Sequence, residues 1–238
     1  MNKAIVFTVF NRPKYLERSV NEWSKVRGLN NFDFYFKIEP SDVLDQNMYI
    51  IDNFKDSADV NVSTFVNSDI RGCGKNTWEA FDEAFSKYDF VMLAEDDIHP
   101  SKDICEFFSY LEEKYRDEEE VAIISANHEF EGYSETSVSK ISIFRGQIWG
   151  TWKKYWDTYI KDTWDFKYDS SVDGGPAGWD WNLSLRVLPN NNLKTVAPHS
   201  SRSQHIGVDG IHCNEVVFFD TLLKSFKDDY DWKELIEV

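Results

Sequence analysis

The sequence predicts an α/β fold with a mostly parallel central sheet flanked by helices. Short apolar runs alternate with helical patterns through the first half, which is the rhythm of βαβ units. The chain has 238 residues, 42% of them hydrophobic and 16% aromatic, enough to bury one sizeable core. No internal repeat, low-complexity run or proline-rich linker divides it. One domain over residues 1–238 is expected, its first half (1–100) carrying most of the strands and its second (101–238) elaborating them.

Ala4 to Phe10 reads as a first buried strand, ended by Asn11-Arg12-Pro13. Pro13 suits the first turn of a helix, on which Tyr15, Leu16, Val20 and Trp23 recur at helical spacing. Phe32 to Ile38 and Val60 to Val66 read as the second and third strands. The turn Ser68-Asp69-Ile70-Arg71-Gly72-Cys73-Gly74 then leads into a helix from about Asn76 to Ser86. Tyr88 to Ala94 forms a fourth strand, uniformly apolar until Glu95-Asp96-Asp97. Pro100 and Ser101 open another amphipathic helix through Ile104, Phe107, Phe108 and Leu111, and Val121 to Ser125 is a further strand. Beyond it the chain turns aromatic and irregular, with Trp149, Trp152, Trp156, Trp164, Trp179 and Trp181 close together. The last stretch, Lys227 to Val238, reads as a loosely docked tail.

Lys and Arg number 26 against 42 Asp and Glu, a formal charge of −16 that repels polyanions and disfavours nonspecific binding to nucleic acid or an anionic membrane unless a local basic patch overrides it. Ala4 to Phe10 is too short for a signal-peptide core or a membrane span. Cys73, Cys105 and Cys213 are odd in number and lack a Cys-x-x-Cys pairing, so neither a disulfide framework nor structural zinc is expected. A reducing, cytoplasmic setting follows as the expectation.

Adjacent carboxylates closing a hydrophobic strand raise one another's pKa unless a cation compensates. Magnesium or manganese, which prefers oxygen ligands and leaves positions for phosphate and water, would resolve the conflict. In open α/β sheets the crevice beyond the strands' carboxyl ends is where ligands bind. The same triplet also fits an exposed acidic turn that opens the next helix. Asp180, between Trp179 and Trp181, fits either a general base or a helix cap. His199, His205 and His212 crowd one segment as metal or diphosphate ligands, or as ordinary loop histidines. Arg71, Gly72, Gly74 and Lys75 form a basic turn able to meet a diphosphate, though not a P-loop, and equally a plain tight turn. Trp149, Trp152, Tyr155 and Trp156 suit an acceptor platform, or core packing at helical spacing.

Taken in register, Val6 to Pro13, Gly72-Cys73-Gly74-Lys75, Glu95-Asp96-Asp97, Ile148 to Trp152 and Ile206 to His212 resemble the bacterial nucleotide-diphospho-sugar transferases of the hemolytic-protein-like group. That group is similar to the N-acetylglucosaminyltransferase I type of GT-A enzyme. The resemblance implies a GT-A fold, a UDP-sugar donor bound by the first half, and Mn2+ or Mg2+ as cofactor. It implies Asp97 as metal ligand, with Asp96 and Glu95 towards the ribose and donor sugar. Thr8, Phe10 and Arg12 would line the nucleotide pocket, with Glu39 where relatives carry an Asp and with Arg71 and Lys75 near the base or diphosphate. Asp180 would be the base of an inverting transfer, and His212 would close over metal and diphosphate, while His205 stands where relatives carry Asn. Trp149, Trp152, Trp179 and Trp181 would face the acceptor in the second half. The acceptor would be a glycan, a lipid-linked glycan or a modified DNA base. A non-catalytic sugar-nucleotide or glycan-binding module and a sugar nucleotidyltransferase are the alternatives.

Overall fold

A computed structural model describes residues 1–58, 60–127, 134–166, 178–207 and 226–238. The apolar run at the amino end becomes β1 (Lys3–Val9), whose Ala4, Ile5, Val6 and Phe7 are inaccessible to solvent, as a strand covered on both faces requires. It pairs in parallel with β2 (Asp33–Ile38) and β4 (Phe90–Glu95), and β2 pairs in parallel with β3 (Val62–Val66) at the sheet's edge. Helices α1 (Pro13–Trp23) and α2 (Leu44–Ala58) cover one face, where Phe7, Phe34 and Phe36 meet Trp23 and Phe54. Helix α3 (Cys73–Phe85) covers the other, where its Glu83 accepts hydrogen bonds from Tyr35 and Lys37.

The second half extends the same sheet. Strand β6 (Val121–Ser125) is separated from β4 by β8 (Trp149–Trp152), antiparallel to both. Strand β9 (Lys194–Pro198) runs parallel to β6, and β7 (Ser137–Ile141) antiparallel to β9. The two-residue β11 (Ile236–Glu237) closes the order β11-β7-β9-β6-β8-β4-β1-β2-β3. Gly150 lets β8 cross here, because a Cβ on it would lie 2.6 Å from the Phe90 ring. Helix α4 (Ile104–Tyr115) packs its apolar face on β6. No helix among the described residues is long and apolar enough to cross a membrane.

Three expectations change. The spacing of Trp149, Trp152 and Trp156 suggested a helix, yet the first two lie on β8 in the sheet's interior at 0% and 2% exposure, so neither offers a face to an acceptor. Helical turns begin only at α5 (Lys153–Tyr155), continuing as a π turn over Trp156–Ile160. Ile98–Pro100 is not a helix start but the strand β5, which pairs with β10 (Ser203–His205) in a separate two-stranded sheet. The carboxyl-terminal stretch is docked: Tyr230 and Leu235 are buried, the Tyr230 hydroxyl donates to Ser201 O at 2.8 Å, and the guanidinium of buried Arg202 lies 4.2 Å from the Tyr230 ring centroid.

Candidate active site at the carboxyl ends of the central strands

Parallel strands β1 and β4 place Thr8 opposite Glu95, so the two strands end side by side. The chain leaves β1 through Phe10, whose carbonyl accepts hydrogen bonds from Asn47 Nδ2 at 2.6 Å and Ser41 Oγ at 3.2 Å. It enters α1 at Arg12, whose carbonyl accepts from the Tyr15 and Leu16 amides at 3.1 Å. These anchors leave the Arg12 side chain facing the end of β4. There its Nη1 donates to Asp97 Oδ2 at 2.6 Å and its Nη2 to Asp96 Oδ1.

Asp96 and Asp97 are 4% and 2% exposed and Glu95 is half-buried, so the triplet is no solvated turn. Burial pushes the Asp96 carboxyl up to about 7, with Arg12 pulling the other way. Burial, then the charges of Asp97 and Asp96, push Glu95 well above its usual range. Asp97 is buried too, but its hydrogen bond with His205, the His205 charge and Arg12 outweigh that and hold its carboxyl low. Burial works against the Arg12 charge, yet the two carboxylates raise its pKa above the ordinary value.

A second segment is laid over Asp97. Pairing of β10 with β5 brings His205 opposite Ile98; the Ile206 amide donates to Asp97 O at 2.8 Å, and His205 Nε2 stands 3.2 Å from Asp97 Oδ2. Gly207 follows against the carboxylate itself, since a Cβ there would lie 2.5 Å from Asp97 Oδ2. Asp97 Oδ1 is buried without a hydrogen-bond partner among the described residues. An ionised carboxylate oxygen left so is costly, and a hard cation is the partner that suits it.

The aromatic second half positions Asp180. Trp179 stacks on Trp164 with ring centroids 5.0 Å apart and planes at 7°, and on Trp149 at 5.8 Å and 27°. Trp164 Nε1 donates to Gly74 O at 3.0 Å, fixing the stack to the start of α3. The cap of α6 (Trp179–Asn182) is Gly178, at φ 111°, so Asp180 does not cap the helix but sits in its first turn. Asp180 is exposed, and its charge is the smallest of the influences that raise the Glu95 pKa, after burial, Asp97 and Asp96. Trp179 is buried within the stack, whereas Trp181 is 47% exposed.

Other expected residues are engaged elsewhere. Glu39 is buried at the end of β2 and accepts the Arg71 amide at 3.0 Å; burial raises its pKa despite the amides of Arg71 and Gly72. The Arg71 side chain pairs with Asp69 at 2.9 Å and approaches Glu79 at 3.6 Å, and Lys75 is 3.8 Å from Glu79. Neither reaches the triplet in this arrangement. His199 bonds Ser139 at 2.7 Å, joining β9 to β7 away from the site, and His212 lies outside the described residues. Of the three candidate histidines it is His205 that the structure brings to Asp97, beside Arg12, and the adjoining Gly207, not singled out as a site residue, packs against the same carboxylate. Glu22, His99 and Asp228 also bring ligand atoms within 4.8 Å of one another, but Lys25 and Lys102 already pair with the two carboxylates.

No family model matches the chain, and no curated protein matches it in sequence. Its structure is similar to that of the mannosyltransferase PcManGT from Pyrobaculum calidifontis in complex with GDP-Man and Mn2+, with a TM-score of 0.54 and 10% identity over 83% of this chain and 54% of that one. It is similar as well to residues 1–349 of S. aureus TarS in complex with UDP, with a TM-score of 0.60 and 13% identity over 85% of this chain and 60% of that one. The chain thus spans 54% and 60% of the length of these two structures. At such identities the likeness is one of fold, and the fold is GT-A.

Proposed function

We propose that the chain is a metal-dependent, inverting glycosyltransferase that moves a sugar from a UDP-sugar to an acceptor hydroxyl. The buried Asp96–Asp97 pair at the carboxyl end of β4, with Asp97 Oδ1 lacking a partner among the described residues, carries this reading. The complexes of PcManGT with GDP-Man and Mn2+ and of TarS with UDP support a nucleotide-sugar donor. The donor set of a carboxylate oxygen and an imidazole fits manganese, so Asp97 and His205 would hold the ion. When bound, such a cation neutralises charge growing on the departing diphosphate.

The chain's own groups do the rest. Thr8, Phe10 and Arg12 line the nucleotide side, and Glu95 faces the donor sugar. The Asp180 carboxylate accepts the proton of the acceptor hydroxyl, whose oxygen bonds to the anomeric carbon as the bond to the diphosphate breaks and its electron pair leaves with UDP. Attack opposite the leaving group inverts the configuration. Exposure suits Asp180 to meeting an incoming hydroxyl, and Trp181 is the accessible ring beside it.

The test is incubation with a panel of UDP-sugars and Mn2+, with released UDP followed by mass spectrometry. Slow donor hydrolysis, rising with a suitable acceptor, is expected; UDP retained intact on the sugar, or pyrophosphate chemistry, contradicts the proposal. Asp180→Asn is expected to fold and to lose about 100- to 10,000-fold in rate, the range for a positioned base. Full activity in that variant removes the base assignment.

A further inference from the structure

The Arg12 guanidinium already occupies the carboxylates that a metal ion would use. Its two nitrogens span consecutive residues, Nη1 to Asp97 Oδ2 at 2.6 Å and Nη2 to Asp96 Oδ1, while both acids are almost wholly buried. Two buried carboxylates side by side need a positive charge, and in this structure Arg12 supplies it. An ion bound at Asp97 would bring a second cation beside Nη1, where like charges in a poorly solvated site repel strongly. Arg12 is free to yield: its side chain is 31% exposed, and its guanidinium lies 5.8 Å from the Tyr15 ring, an aromatic face on which a displaced cation rests favourably. The lopsided bonding of Asp97 agrees, for Oδ2 takes both Arg12 and His205 while the buried Oδ1 has no hydrogen-bond partner among the described residues.

We propose that Arg12 is an internal cation that competes with the divalent ion for Asp96 and Asp97, holding the acids together before the ion arrives and releasing Asp97 when it binds. The released guanidinium, at the mouth of the nucleotide pocket, then serves the donor's diphosphate. This rests on the reading of Asp97 as a metal ligand. Its consequence is that the resting protein binds metal more weakly than its carboxylates allow.

The experiment is titration of Mn2+ alone, followed by electron paramagnetic resonance of the free ion, into the wild-type protein, Arg12→Ala and Arg12→Lys, with thermal melting of each. If the paired state holds about nine-tenths of the molecules, removing Arg12 tightens apparent Mn2+ affinity roughly tenfold, with the Arg12→Lys protein between the two. Without metal Arg12→Ala melts below wild type, and saturating Mn2+ restores more of its melting temperature than it adds to the wild type. Mn2+ binding to Arg12→Ala no tighter than to wild type overturns the proposal, as does a melting loss that Mn2+ does not repair. Should Arg12→Ala fail to fold, Arg12→Lys decides by the same comparison. If Mn2+ alone binds none of the three, the competition falls, and a repeat with UDP present shows whether the metal reading falls with it.

Discussion

Gly207→Ala perturbs the site through a single methyl group. The new Cβ would lie 2.5 Å from Asp97 Oδ2 and 3.0 Å from Asp97 Cβ, so the carboxylate must retreat by about 0.9 Å to reach ordinary contact at 3.4 Å. Oδ2 is the atom that takes Arg12 Nη1 at 2.6 Å and His205 Nε2 at 3.2 Å, and a retreat of that size stretches one bond to its limit and breaks the other. Overpacking of this kind costs about 1–3 kcal/mol. For a chain of this length that corresponds to a melting temperature lower by roughly 2–12 °C. Thermal melting and Mn2+ titration with UDP present read the two effects together: Gly207→Ala is expected to melt lower and to bind Mn2+ more weakly. A variant with wild-type melting and wild-type Mn2+ affinity would refute the placement of this segment on Asp97.

Gly150→Ala makes the complementary case, since its methyl would meet the Phe90 ring at 2.6 Å in the core; a loss of about 1–3 kcal/mol in denaturant melts is expected with Mn2+ affinity unchanged, and altered Mn2+ affinity would contradict it. Glu95 has a folded pKa above its ordinary 4.5, so the metal-free fold binds a proton that the unfolded chain gives up, and this residue's contribution to stability is lost as pH rises above 4.5 towards the raised value. Melting at stepped pH in chelator is expected to show a slope that Glu95→Gln flattens; identical slopes would contradict the burial of that charge. Trp164→Ala removes the ring stacked on Trp179 and the hydrogen bond to Gly74, so a stability loss of about 3–5 kcal/mol is expected together with a fall in transfer rate. Unchanged transfer in a folded Trp164→Ala protein would show that the stack does not position Asp180.

The parallel core of the fold was legible because its strands are buried on both faces and therefore read as unbroken apolar runs, as at Ala4 to Phe7 and Phe90 to Ala94. The acidic triplet announced itself by ending such a run. Trp149 and Trp152 misled because three-residue spacing fits a helix, while the four-residue β8 is set by pairing with β4 and β6 on either side, which no local pattern encodes. Helix α2 was not read, since its four buried side chains, Asn47, Ile50, Ile51 and Phe54, give only a partial apolar stripe. Lys227 to Val238 read as a loosely docked tail because charged residues interleave its aromatic ones, yet Tyr230 and Leu235 are buried, and the segment is held in part by contacts more than a hundred residues distant, including Lys114 to Leu235 O. His205 and Gly207 reach Asp97 only through the pairing of β10 with β5, a contact between distant segments. The crowding of His199, His205 and His212 marked the segment in the sequence, but it does not say which histidine meets which carboxylate.

The central claim, a divalent ion on Asp97 gripping a donor diphosphate, is met most directly by calorimetric titration of UDP with Mn2+ and with chelator, in the wild-type protein and in Asp97→Asn. Mn2+ is expected to tighten UDP binding by about tenfold or more in the wild type, within the usual range of coupling between two ligands, and to have no effect in Asp97→Asn. UDP affinity indifferent to Mn2+ in the wild type, or a full Mn2+ effect surviving in Asp97→Asn, would contradict it.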